Sequence, residues 1–172
     1  MHWRSLRQLA RETICRIEQL LRGFGVEVGT PGSGGHSTKF SSALAVQDYL
    51  PAGGMPNKLT ADLVDPTNSS SGVFGGQVLA LKLNIALSDG GATPAGLGDL
   101  YYKNPGDALS GFTVRQILAA AENALGGGPL PTGYTYALLS TLCDNLNLSW
   151  HNETTEGCAP SAWALLYLSR SP

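Results

Sequence analysis

A chain of 172 residues suits one domain with a short extension, and 42% apolar residues are enough for a core, which excludes wholesale disorder. A formal net charge of −2, with only 14% of residues charged, leaves no basic footprint for nucleic acid. No apolar run approaches the ~18 residues that read as a membrane span.

The charge is uneven along the chain: residues 1–38 hold five Arg against three Glu, while 39–172 hold six basic against ten acidic residues. Within the first segment Leu6, Leu9, Ala10, Ile14, Ile17, Leu20, Leu21 and Phe24 recur at spacings of three and four. That stripe, with Arg and Glu opposite, predicts an amphipathic helix over 1–25, ended by Gly23 and Gly25. Such a helix docks on its own domain or a partner, or lies on a membrane surface through residues 4–24. As they stand, residues 1–24 show neither the apolar h-region nor the cleavage site of a signal peptide. Residues 26–38, VEVGTPGSGGHST, read as a flexible linker, which places the main domain at 39–172.

Phe40, Leu44, Ala45 and Leu50 suit a short helix from about Ser41, stopped by Pro51. Residues 51–72 are rich in turn formers and predict an irregular surface run. The most apolar stretch follows, SGVFGGQVLALKLNIALSD at 71–89. Leu79, Leu81, Leu83, Ile85 and Leu87 alternate as in a strand, whereas Phe74, Val78, Leu81 and Ile85 repeat at helical spacing. Its Ala, Leu, Lys and Gln outnumber its β-branched residues, so a helix capped by Ser70 or Ser71 is predicted. Being apolar on nearly every side, it is expected at the centre of the core. Gly72, Gly75 and Gly76 are followed by Gln-Val rather than Lys-Ser/Thr, so they read as close-packing glycines, not a phosphate loop.

The loop 88–111 carries Asp89, Asp99 and Asp107 without EF-hand spacing. Beyond it, Thr113 and Gln116 have capping-box spacing, Phe112 is placed to staple Ile117, and Val114, Ile117, Leu118, Ala121 and Leu125 form a buried stripe. Gly126-Gly127-Gly128-Pro129 closes that helix. A further helix lies within 132–150, with Thr135, Leu138, Leu139, Leu142, Leu146 and Trp150 on one face. The loop 151–160 and a short apolar closing element at 161–169, read as helix, complete the chain.

Groups able to carry chemistry are few. Cys143 and Cys158, fifteen apart, are the pair available for a disulfide, the alternative being buried or free thiols; Cys15 stands alone. Asp144, His151, Glu153, Glu156 and Cys158 are metal-ligand types without the H-E-x-x-H order, so whether a metal is held stays open and no cofactor is expected. His151 near Cys143 and Cys158 is a weak Cys–His suggestion. Tyr101, Tyr102 and Lys103, together with Trp150, His151 and Trp163, are available for a sugar- or peptide-binding surface; the alternative is that the rings fill gaps between helices. Asn68, Asn147 and Asn152 begin N-x-[ST] triplets.

Four blocks carry a resemblance: LPAGGMP at 50–56, VFGGQVLALKLN at 73–84, GLGDL at 96–100 and TVRQILAAAENALGGG at 113–128. Over roughly 45–150 the chain resembles an uncharacterised domain of long secreted or surface-attached bacterial proteins, often found beside adhesive or immunoglobulin-like modules. The basic N-terminal helix lies outside that pattern. The resemblance implies an extracellular or cell-surface location but neither an activity nor site residues. The expected fold is mainly α, a small irregular helical domain with Gly/Pro-rich loops preceded by a separate amphipathic helix. The expected function is a non-catalytic structural, adhesive or assembly module with a protein or cell-surface partner. The alternatives are a small enzyme or ligand-binding domain with a site near 88–111 and 143–158, and an adaptor held by the 4–24 helix.

Overall fold

A computed structural model describes residues 19, 25–32, 34–150 and 161–172. The predicted N-terminal amphipathic helix falls almost wholly outside these residues, and the loop 151–160 lies outside them entirely.

Residues 26–40, whose composition predicts a linker up to residue 38, instead form a β-hairpin. Strands β1 (Val26–Gly29) and β2 (Ser37–Phe40) pair antiparallel, with Val26 opposite Phe40 and Gly29 opposite Ser37. Val26, Val28 and Phe40 enter the core from it. The misreading has a physical source: each strand is only four residues long, so its alternation is brief, and the Gly-rich turn between them dominates the composition. Tertiary contacts hold what the strands alone would not: the Thr30 N–H donates to the His36 carbonyl at 3.0 Å, and the His36 N–H donates to the Gly126 carbonyl at 2.9 Å. The folded part therefore begins ahead of residue 39.

Helix α1 (Ala43–Tyr49) starts two residues after Ser41, because Ser42 caps it through the Ala45 N–H. Ser41 is engaged elsewhere, its N–H and hydroxyl both donating to the Asp65 carboxylate at 2.7 and 2.6 Å. The buried face is Ala43, Val46 and Tyr49, not the predicted one, and Leu44 is 62% exposed. Strand β3 (Leu63–Val64) adds parallel to β2 to complete a three-stranded sheet.

Helix α2 (Val73–Asp89) is the predicted central helix, with Phe74, Val78, Leu79 and Leu81 wholly buried. Its N-cap is Gly72 rather than a serine. Ser71 is buried beside it, bonded to Ser69 at 2.6 Å and near the Tyr49 hydroxyl. A methyl group on Gly76 would approach the Ala52 side chain to 2.7 Å, which accounts for glycine there by close packing.

A short 3-10 turn (Leu97–Asp99) leads to β4 (Tyr101–Tyr102) and then to α3 (Val114–Leu125). The capping box at Thr113 and Gln116 is present in both directions, while Phe112 stays exposed at the surface. Helix α4 (Tyr136–Asn147) is capped by Thr135 and runs into a 3-10 turn (Leu148–Trp150). Its buried residues include Leu139, Leu142, Cys143 and Leu146, whereas Leu138 on the predicted face is exposed. The closing segment splits into α5 (Ala162–Tyr167) and β5 (Leu168–Ser169), which pairs antiparallel with β4. The fold is thus helix-rich but mixed, with two small sheets, rather than plainly all-helical. No described helix is long and apolar enough to cross a membrane.

Helix α2 packs chiefly against α4, and the two share a polar seam within the apolar core. Gln77 donates to Asp144 at 3.0 Å, Asn84 donates to Asn147 at 3.0 Å, and the Asn147 amide returns a bond to the Gln77 side chain at 2.8 Å. Gln77 and Asn84 are two helical turns apart on one face, so these bonds set the axial register of α2 against α4.

Candidate functional site

A cleft of about 410 Å³ opens where β4, the loop after it, α4 and α5 converge. It belongs to the size range of small-ligand sites. Its floor is built by the sequence Asn104-Pro105-Gly106-Asp107. Proline presets the second position of the turn and Gly106 takes φ +87° at the third, so the Asp107 N–H closes on the Asn104 carbonyl at 3.0 Å.

The turn aims the Asp107 carboxylate into a dense set of donors. The Tyr134 hydroxyl reaches both of its oxygens at 2.8 Å, and the Tyr102 hydroxyl donates to Oδ2 at 3.1 Å. The Asn104 amide adds a bond at 3.3 Å and the Leu109 N–H one at 2.8 Å. Partial burial pushes the Asp107 carboxyl pKa up, but the Leu109 N–H and the Tyr134, Tyr102 and Asn104 bonds together outweigh it and hold the group below its ordinary value. Burial, then the neighbouring carboxylate, pushes the Tyr134 hydroxyl up, so both partners keep the states that suit the bond.

An aromatic wall stands beside this floor. Trp163 and Tyr167, on α5, come together with Tyr102 on β4 because β5 pairs with β4 and draws α5 over it. Tyr102 and Trp163 stack at 6.1 Å between centroids with 18° between planes, Trp163 and Tyr167 lie 5.2 Å apart, and Tyr102 and Tyr167 are 6.4 Å apart. Thr132, Thr141 and Asn145 also line the cleft, the Thr141 hydroxyl donating to the Ala137 carbonyl at 3.0 Å.

The structure sorts the sequence-predicted residues. Tyr102 and Trp163 are brought together at the cleft, while Tyr101, its neighbour on the two-residue strand β4, is not among the lining residues. The side chain of Trp150, and all of His151 and Cys158, lie outside the described residues, and so does any Cys143–Cys158 pairing. Cys143 itself is a buried thiol, and burial, aided by Asp144, pushes its pKa up to about 12. At neutral pH it is therefore a packing group rather than a thiolate nucleophile. Asp89 is held by Arg115 in a paired contact at 3.0 Å on each arm, with Asp99 3.7 Å from the same guanidinium, so of the three acidic residues in the loop only Asp107 reaches the cleft. Among the described residues no three His, Cys, Asp or Glu side chains are placed to hold a metal ion.

Tyr134, Tyr167 and Asn145 were not legible as site residues. Tyr134 meets Asp107 across 27 positions of sequence, and no local spacing encodes such a contact. The turn formers around Asp107 were the one available signal.

The Asp107 network makes a pH prediction with a definite sign. The folded carboxyl pKa lies below the ordinary 3.8, so its stabilisation is complete above pH 3.8 and is lost as pH falls through the folded value. On the alkaline side the Tyr134 contribution is complete below pH 10 and declines above it. Asp107→Asn is expected to destabilise the domain by about 1–3 kcal/mol at pH 7. Its melting temperature should also fall less steeply between pH 5 and pH 3 than that of the unaltered chain. Parallel acid profiles for the two proteins would refute the assignment.

No protein-family model, curated protein or solved structure matches the chain.

Proposed function

We propose that this chain is a non-catalytic recognition module of a secreted or cell-surface protein, serving adhesion or assembly through the aromatic cleft. The observation that carries the reading is the state of Asp107. Its carboxylate faces a ligand-sized cleft, yet both oxygens are already engaged by two tyrosine hydroxyls, an amide and a backbone N–H. A general base needs a free lone pair and a pKa raised toward neutrality, whereas this carboxylate is saturated and shifted the other way. It braces the walls of a preformed site instead. The location rests on the four sequence blocks at 50–56, 73–84, 96–100 and 113–128 and their resemblance to surface-attached proteins, together with a composition low in charge.

The test is retention of the purified chain on the envelope and extracellular material of the producing cells, against a variant carrying Thr141→Lys and Asn145→Lys. Both positions line the cleft, and the long cationic side chains would fill it. The unaltered chain is expected to be retained, and the variant to lose about tenfold in apparent affinity, a difference of about 1.4 kcal/mol. Equal retention of the two proteins, no retention of either, or chemical turnover of the bound material would overturn the reading.

A further inference from the structure

We infer that the ligand of this cleft is a neutral saccharide, stacked on the Trp163–Tyr167 wall and hydrogen-bonded by Asn145 and Thr132. The inference rests on the recognition reading above and adds the chemical class of the ligand.

Charge is the first discriminator. Among the described residues that line the cleft there is no Lys, Arg or His, so a phosphate, sulfate or carboxylate group would find no counter-charge. A cation fares little better. The single carboxylate is saturated by its own neighbours. The aromatic rings also touch one another, with centroids 5.2 to 6.4 Å apart, so they form a continuous wall. A trimethylammonium site needs rings standing apart around the cation.

The second discriminator is what remains unpaired. The Asn145 side-chain amide, the Thr132 hydroxyl and the Tyr167 hydroxyl have no hydrogen-bond partner among the described residues, although each belongs to a residue lining the cleft. An amide offers one acceptor and two donors in a plane, which matches adjacent hydroxyls on a sugar ring. The C–H bonds on one face of a pyranose are weakly positive and apolar, and they complement the negative face of an indole or phenol ring. Aromatic rings for the C–H face and polar groups for the hydroxyls are the two requirements of a neutral sugar, and this cleft is lined by both.

A peptide is less well served. Strand addition, the peptide mode that β4 would offer, is closed because β4 in the cleft wall is already bonded on both sides, and binding through side chains alone is what the tetrapeptide comparator tests. The Tyr102 N–H donates to the Phe112 carbonyl at 2.8 Å, and the Lys103 N–H to the Tyr167 carbonyl at 2.7 Å.

The experiment is calorimetric titration of the full chain with soluble hexasaccharides of glucose (β-1,4 and α-1,4), mannose and N-acetylglucosamine. Choline and an unstructured aromatic tetrapeptide serve as comparators. Saturable binding of at least one neutral hexasaccharide is expected, with a Kd of roughly 10 μM to 1 mM. Tyr167→Ala should weaken it about tenfold and Asn145→Ala about threefold, while melting temperatures show that both variants remain folded. Trp163→Phe keeps an aromatic face and should weaken binding less than Tyr167→Ala. Absence of binding by every hexasaccharide at about 10 mM, or binding unchanged in both alanine variants, would overturn the saccharide assignment. So would binding of choline or the tetrapeptide alone. If the cells still retain the chain through the cleft while the sugars fail, the ligand class is wrong and the recognition reading stands; loss of both would remove both.

Discussion

Leu81→Asp is expected to abolish cooperative folding. Leu81 lies at the middle of α2 and is 0% exposed, within the same buried cluster as Phe74, Val78 and Ile85 of that helix. Leu81 has no hydrogen-bonding side chain in its place to hand over a partner. The polar seam to α4 is made by Gln77 and Asn84, at other positions of the helix. A carboxylate at Leu81 would therefore be buried unpaired or would force the helix out of the core. Either outcome costs several kcal/mol, comparable to the roughly 5–15 kcal/mol that stabilises a domain. Far-ultraviolet circular dichroism and urea titration check it. Leu81→Met should retain a sharp transition at a loss below about 1.5 kcal/mol, and Leu81→Ala should lose about 2–5 kcal/mol. A soluble Leu81→Asp protein with an unaltered transition would remove α2 from the centre of the core.

Gly72→Ala is expected to have the second-largest effect, for a backbone reason. Gly72 caps α2 at φ 57° and ψ −143°, a conformation open to glycine and not to residues with a Cβ. The space is closed as well. An added Cβ would overlap the Met55 carbonyl oxygen and stand 2.7 Å from the Met55 carbonyl carbon and 2.8 Å from that of Gly54. These are backbone atoms, tied in place by the Val73 N–H donating to the Gly54 carbonyl at 3.2 Å and by the Asn57 N–H donating to the Ser71 carbonyl at 3.1 Å. No rotamer change relieves such a clash, so a loss of about 3 kcal/mol or more is expected in urea-unfolding free energy. Gly53→Ala is the control: nothing lies within 4 Å of its added Cβ, and a change within about 0.5 kcal/mol is expected. Equal stability of the two variants would show that the 53–56 loop does not lie over the start of α2.

The pair of predictions also bears on the resemblance blocks. Gly53, Gly54 and Met55 come from the first block and Val73 from the second, and the hydrogen bond from Val73 to Gly54 joins them directly. The 96–100 block is tied to α2 in the same way, since the Ser88 hydroxyl accepts from the Leu97 N–H at 3.1 Å and donates to the Pro94 carbonyl at 2.8 Å. Three of the four sequence blocks thus meet in the packing of loops around one apolar helix.

What the sequence determined by itself was whatever is encoded within a helical turn or two. The capping box at Thr113 and Gln116 and the run of core residues from Phe74 to Leu87 depend on neighbours three and four positions away, and both stand in the structure. The short helix expected from about Ser41 begins at Ala43, and the serine cap expected for α2 falls to Gly72, which shows the precision of such local signals. Tertiary structure decided the rest. The four-residue strands β1 and β2 carry too little alternation to be read, and they persist because Val26, Val28 and Phe40 gain a core and His36 bonds to Gly126 at the end of α3. The cleft was legible in part, since Tyr102 and Trp163 stand out as candidate aromatics and Asp107 and Asn145 lie within 88–111 and 143–158, but Asp107 meets Tyr134, and Tyr102 meets Trp163, only after β5 has paired with β4 and α4 has packed on α2. Contacts between residues distant in sequence follow from how buried faces are shared among elements, and no single stretch of chain contains that information.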